Sequence, residues 1–274
     1  MFAEDAGRDA QVQRHHPGQR EYRDRMLDHG RILSKEGFRA THSPVAGGPM
    51  MITMTTHPAT PPPSDVLTLP DNELATATLA LVADAESIEV ANHSVRSYLF
   101  ARLLAEHQQA VAGRDYQPQL LFVACVLHDV GLSALGDRRQ RFEIDGADVA
   151  AEFLTARGLP TADVDAVWDA IALHTSPGIA ERRSVLCELV RRGVGVDIGL
   201  DAAFVTEADA ARIHAAHPRR EMTRSLVDTI VAQAHARPEK APPYSLAWTF
   251  LRERGTAPHV TALEAAAAAS RWGR

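Results

Sequence analysis

With 274 residues, the chain is long enough to bury a substantial core without disulfide or metal staples. Hydrophobic residues make up 45% and charged residues 23%, an ordinary globular composition, and the longest uninterrupted apolar run, Leu120 to Leu127, falls far short of the ~20 residues that span a membrane. A net charge of −6 argues against a nucleic-acid-binding face, and two cysteines, Cys125 and Cys187, fit buried free thiols of a reducing cytoplasm better than a disulfide framework.

Residues 1–62 hold eight basic and seven acidic residues, the pairs His15-His16 and Gly47-Gly48 and several prolines, but no sustained apolar period. They are expected to form a disordered N-terminal tail. An apolar signal core is lacking, and the acidic residues do not suit a transit peptide, so a cytoplasmic location is expected. Met50, Met51 and Met54 stand just before the proline-rich stretch from Pro58 to Pro63, which reads the tail as an extension upstream of the true start. Residues 63–274 retain 21 basic and 28 acidic groups, a net −7, and are expected to form one domain.

In that domain the apolar spacing is helical, with few hairpin signals, which predicts an all-α helical bundle. Helices are expected over 71–85, 87–111, 117–131, 144–157, 161–175, 183–200, 206–216, 219–236, 243–254 and 258–270. Ser87, Thr161 and Thr206 stand as N-cap residues, and Gly113, Gly158 and Gly255 follow helices as stops. The helix over 87–111 carries apolar residues on two sides, Ile88, Ala91, Val95 and Leu99 on one, Val90, Phe100 and Leu104 on the other, so it belongs in the middle of the bundle. The run from Leu120 to Leu127 is equally buried, and periodicity alone does not separate a helix from a central strand there.

Polar residues interrupt these apolar faces at four places. His93 shares a stripe with Val90 and Phe100; His128-Asp129 directly follow the apolar run; His174 continues the face of Val167 and Ile171; Asp197 continues that of Leu186, Val190 and Val194. A single inward histidine is ordinarily a core residue bonded to a carbonyl, and a single inward aspartate a cap or an ion-pair partner. Histidines and aspartates together on adjacent core segments instead make a mixed nitrogen and oxygen set suited to a divalent transition metal.

The order of His93, His128-Asp129 and Asp197 resembles the HD-domain superfamily of metal-dependent hydrolases, over roughly residues 85–235. Finer matches resemble its cyanamide hydratase branch: Asn92-His93-Ser94-Val95-Arg96-Ser97-Tyr98, Leu127-His128-Asp129-Val130-Gly131, the segment from Arg141 to Ala147, and His174 before Ser176-Pro177-Gly178-Ile179. The resemblance implies His93, His128, Asp129 and Asp197 as metal ligands. It implies one divalent metal per chain, zinc first, with iron or manganese as alternatives. Leu132 stands where many nucleotide-cleaving relatives place a glutamate, which speaks against nucleotidase chemistry. The interval between Asp129 and Asp197 holds only His174, which speaks against a two-metal site.

The implied activity is hydration of a small polarised nitrile, cyanamide to urea, by water that the metal acidifies from a pKa of 15.7 toward about 7. Asp129 and His174 would then move protons, with His174 alternatively a structural histidine, and Asn92, Arg96 and Glu143 would hold the substrate or orient ligands. Asp201 lies one turn after Asp197 as a substitute ligand, and Asp145 reads as a helix cap. His107, His214, His217, His235 and His259 read as surface residues, and Arg219, Arg220 and Arg224 as a solvated helix end. Two other readings remain: a phosphohydrolase, which calls for cations at the site, and a non-catalytic helical binding module. The expected partner is a small-molecule substrate, with no nucleic acid and no membrane, and a homodimer as the common assembly.

Overall fold

The computed structural model describes residues 65–255 and 260–273. The tail expected over 1–62, and His259, lie outside the described residues. The helices run α1 (Glu73–Ala85), α2 (Ile88–His107), α3 (Pro118–Leu127), α4 (Phe142–Thr155), α5 (Thr161–Ala172), α6 (Ala180–Arg183), α7 (Val185–Asp197), α8 (Glu207–Ala216), α9 (Met222–Ala236), α10 (Leu246–Arg254) and α11 (Ala262–Ala269). Short 3-10 turns cover Val130–Leu132, Ala202–Phe204 and Pro238–Lys240. Among the described residues there is no strand beyond an isolated bridge between Ala112 and Tyr116, and no helix long and apolar enough to cross a membrane.

Side-chain caps start most of these helices. Asn72, Ser87, Ser184, Thr206 and Ser245 each accept the backbone N–H three residues on, and Thr261 forms a reciprocal capping box with Glu264. Thr161 does not cap as expected: it is the first residue of α5, and Pro160 holds the N-cap position. The apolar run of α3 is a helix. Pro118 opens it at a position that needs no N–H, and every residue from Leu120 to Leu127 is buried because α1, α2, α5 and α7 surround it.

Four expected helices stop three or four residues earlier than periodicity indicates. The one over 87–111 ends at His107, where Gln109 turns to a positive φ of 59°. The other three end at α3, α5 and α7, on or just before His128, His174 and Asp197. Apolar spacing continues past each end because these residues also face inward; the hydrogen-bond ladder does not continue. Three helix C-termini therefore meet in one region, each carrying roughly half a negative charge from its unpaired carbonyls.

Two apolar clusters make the interior. The larger is built from α1 to α8, with α2 packed along α7 as its spine. The smaller joins Leu132 and Phe142 to Met222, Leu226, Val227 and Ile230 of α9 and to Phe250 of α10.

Between them the His128-Asp129 turn is pressed against the start of α4. A Cβ on Gly131 would lie 1.9 Å from the Phe142 carbonyl oxygen, and one on Gly146 would lie 2.9 Å from the Gly131 nitrogen. Gly131→Ala is expected to cost about 1–3 kcal/mol, because only backbone can give way on the α4 side. A urea midpoint unchanged from the parent would remove this role.

Candidate metal centre and cavity

The chemistry of the site begins with unsatisfied helix ends. His128 stands at the C-cap of α3, and its Nδ1 lies 2.7 Å from the carbonyl oxygen of Cys125. His174, two residues past α5, places its Nδ1 2.6 Å from the carbonyl oxygen of Ile171. Both imidazoles satisfy a last-turn carbonyl three residues back, the groups a helix end leaves without partners. His93, in the middle of α2, places its Nδ1 2.6 Å from Oδ2 of Asp197 at the end of α7. Carbonyls and a carboxylate accept, so each Nδ1 carries a proton, and in the neutral imidazole each Nε2 is left with a lone pair.

Those three Nε2 atoms converge on one carboxylate. Asp129 Oδ2 lies 3.1 Å from Nε2 of His128 and 3.6 Å from that of His93, and Oδ1 lies 3.8 Å from Nε2 of His174. The rings meet edge to face, with centroids 5.0 Å apart for His93 and His128 and 4.9 Å for His128 and His174. All four residues are buried, and His128 Nε2 and Asp129 Oδ2 have no hydrogen-bond partner among the described residues. Three imidazole lone pairs facing a carboxylate are four acceptors without a donor, a stable arrangement only when a proton or a cation sits among them. His93, His128 and Asp129 each offer a ligand atom within 4.8 Å of the others, and nitrogen with oxygen donors at C-terminal helix ends fits a divalent cation.

Asp197, implied by the resemblance as a fourth ligand, stands behind His93 and outside that group. Its carboxylate is gripped by the fully buried Arg96, with Nε 2.7 Å from Oδ1 and Nη2 2.8 Å from Oδ2, while Nη1 donates to the His217 carbonyl oxygen at 3.0 Å. Arg219 Nη1 donates to the Asp197 carbonyl oxygen and approaches Oδ1 at 3.4 Å. Arg96 is thereby spent within the protein, and Asn92 Nδ2 donates to the Pro218 carbonyl oxygen at 2.9 Å. Of the two roles expected of this pair, holding substrate or orienting ligands, Arg96 has the geometry of the second through Asp197 and His93; neither residue is among the described lining of the cavity, and both tie α2 to the 217–219 segment.

Glu143 is buried and accepts the Thr175 hydroxyl at 2.7 Å, with its other oxygen unpartnered. Asp145 is not the cap expected of it: it lies inside α4, whose N-cap position is held by Arg141 without a side-chain bond, and it accepts the Gln140 N–H and pairs at 2.6 Å with the buried Lys240. Asp201 is exposed at a positive φ of 52° and takes no part.

His217 and Arg219 are buried, contrary to the surface positions expected of them, and His214 is half-buried against Phe100 and Trp272. Arg219 faces inward because the buried Asp197 carboxylate requires further donors. Helical spacing in α8 and α9 does not reveal that requirement.

Electrostatics follow this geometry. Burial alone would raise Asp129, but His128, and after it His93 and His174, outweigh it and hold the carboxyl well below its ordinary range. Burial alone would raise Asp197 too, and Arg96 and His93 reverse it. Burial lowers His93, and burial with the neighbouring His128 lowers His174 to about 4, so both are neutral at pH 7. Burial also disfavours the charged form of His128, yet the adjacent Asp129 carries it above its ordinary value. Burial raises Glu143, with the Thr175 hydrogen bond only partly offsetting it.

The proton that a cation must displace is therefore the one on His128. Below the raised His128 pKa that proton competes, so affinity for Zn2+ is expected to rise with pH through this range and to level above it. Titration calorimetry in two buffers should show about one proton released per ion near pH 6. Affinity indifferent to pH from 6 to 8 would contradict the competition.

The cluster forms one end of a cavity of about 270 Å³. His93, His128, Asp129, His174 and Thr175 line that end, and the rest of the wall comes from α4, α7, α9, α10 and α11, including Phe142, Val194, Met222, Leu226, Phe250 and Leu263. Arg191 is the single arginine or lysine among the described lining residues, and it is ion-paired with Glu181. Helical spacing marks the residues of α9 to α11 as inward-facing, but it carries no signal that they close over His128.

The family pattern of the HD domain matches residues 90–236, more than half of the chain, and its span begins and ends on the elements that carry the cluster and the cavity wall. Nothing among curated proteins matches the chain.

Proposed function

Because the chain belongs to the HD-domain family, we propose that it is a metal-dependent hydrolase or hydratase that adds water to an uncharged, polarised carbon, with nitriles of the cyanamide type as the substrate class. The observation that carries the reading is the convergence of three buried imidazole Nε2 atoms on the Asp129 carboxylate at the end of a cavity. His93, His128 and Asp129 would hold one divalent cation, zinc first, with His174 beside it on the cavity wall. Such a cation supplies Lewis acidity and brings the pKa of water toward about 7.

The protein's own groups divide the remaining work. Asp197 fixes the proton of His93 on Nδ1, and Arg96 fixes Asp197, so the Nε2 lone pair points inward before any ligand arrives. His174 is neutral at pH 7 and its Nδ1 proton is committed to Ile171, so its Nε2 accepts a proton and does not initiate by donating one. In the proposed step the water oxygen bonds to the nitrile carbon while one π bond of C≡N opens toward nitrogen. His174 takes a water proton and returns it to that nitrogen, and the resulting imidic acid isomerises to the amide; cyanamide and water give urea. Glu143 anchors the hydroxyl of Thr175 on the cavity wall.

Phosphoester hydrolysis fits less well. Its transition state calls for cationic donors, and the one lining arginine is already paired, with Arg96 and Arg219 turned to Asp197. The distinguishing experiment supplies Zn2+-loaded protein with cyanamide and, separately, with p-nitrophenyl phosphate. Urea without phosphate release supports the reading. Phosphate release without urea overturns it.

A further inference from the structure

We propose that the substrate of this site carries an uncharged hydrocarbon body attached to the reacting group, and that Leu226 and Phe250 help to select it. The inference rests on the water-addition reading above and concerns what lies beyond the reacting atoms. About 270 Å³ approaches the size of pockets that enclose small organic ligands. Cyanamide, with three non-hydrogen atoms, would leave most of that space to water against apolar walls, whereas an alkyl or aryl body would displace the water and gain the free energy of apolar burial.

The composition of the wall selects the character of that body. Away from the metal cluster the cavity is lined by Ile198, Met222, Leu226, Phe250 and Leu263 among others. A second charge on the substrate would find no counter-charge there, since Arg191 is held by Glu181 and Asp129 belongs to the cluster. Polar groups concentrated at one end and hydrocarbon along the rest form the usual plan of a site that orients one reacting group on an apolar molecule. The cavity reaches solvent beside Leu200, a half-exposed lining residue.

The test uses the full chain loaded with Zn2+ and two readouts. Calorimetric affinity is measured for acetamide, butyramide and hexanamide, amides of increasing length, and hydration rates for cyanamide and the matching nitriles. Affinity is expected to improve about fourfold per added methylene along the amides, the factor for burying a CH2. Leu226→Asn should flatten that gradient; should the variant fail to fold, the gradient on the parent decides by itself. Equal affinity along the amides would overturn the hydrocarbon body, as would a kcat/KM for cyanamide at or above that for hexanenitrile. A clear gradient without hydration of any nitrile would leave the hydrocarbon body standing and overturn the water-addition reading instead.

Discussion

Arg96→Leu is expected to destabilise the protein by about 3–5 kcal/mol, the cost of breaking a buried ion pair from one side. The guanidinium is fully buried, holds both oxygens of an equally buried carboxylate, and bridges to the His217 carbonyl. Its loss leaves Asp197 with His93 and the more distant Arg219 as partners. A total stability of about 5–15 kcal/mol is ordinary for a folded domain, so the loss takes a large share of it. Thermal unfolding should fall by roughly 10 °C.

The double variant Arg96→Leu with Asp197→Leu should recover much of that stability, since an apolar pair of similar size can replace a buried ion pair. It should not recover metal affinity, because His93 then lacks the acceptor that fixes its tautomer, a loss of about 10–100-fold. Thermal melts combined with Zn2+ calorimetry on the two variants separate packing from orientation. Equal Zn2+ affinity in the double variant and the parent would remove the orienting role from Asp197.

Asp129→Asn is expected to have the opposite pattern, with the fold retained and the metal lost. The asparagine amide can donate to the Nε2 atoms that the carboxylate faces, so the metal-free protein should melt at or slightly above the parent temperature. Zn2+ affinity should fall by more than about 100-fold, beyond the range for removing an outer hydrogen-bond partner, and turnover should fall with it. Retained affinity together with retained turnover would take Asp129 out of the metal site.

The helical bundle was legible because Ser87, Thr206 and the long apolar faces around α2 and α3 are local signals, and local signals survive without knowledge of neighbours. His93, His128, Asp129 and His174 were legible for a related reason: each sits on a face that is otherwise apolar. Helix ends were harder. His128 and His174 continue the inward face of α3 and α5, so periodicity extends through them, while the imidazole bonds to Cys125 and Ile171 mark where the backbone ladder has stopped.

Pairings between distant segments were not legible at all. Nothing in the spacing of Arg96, Asp197 and Arg219 shows that they meet, and Arg219 resembles a solvated helix end until Asp197 is placed beside it. The four-residue α6 is too short to give a period. The apolar wall of the cavity shows the same limit: Met222, Leu226 and Phe250 read as core residues, and only the fold reveals that they surround space next to His128.

The central claim is that the histidines around Asp129 surround a divalent cation. Metal content by plasma emission, on protein purified without chelator and then exposed to equimolar Zn2+, tests it most directly, with His128→Ala alongside. About one ion per folded chain is expected in the parent and none in the variant. A folded parent that neither carries nor takes up Zn2+, Fe2+ or Mn2+ would contradict it and leave a helical binding module with a protonated polar core.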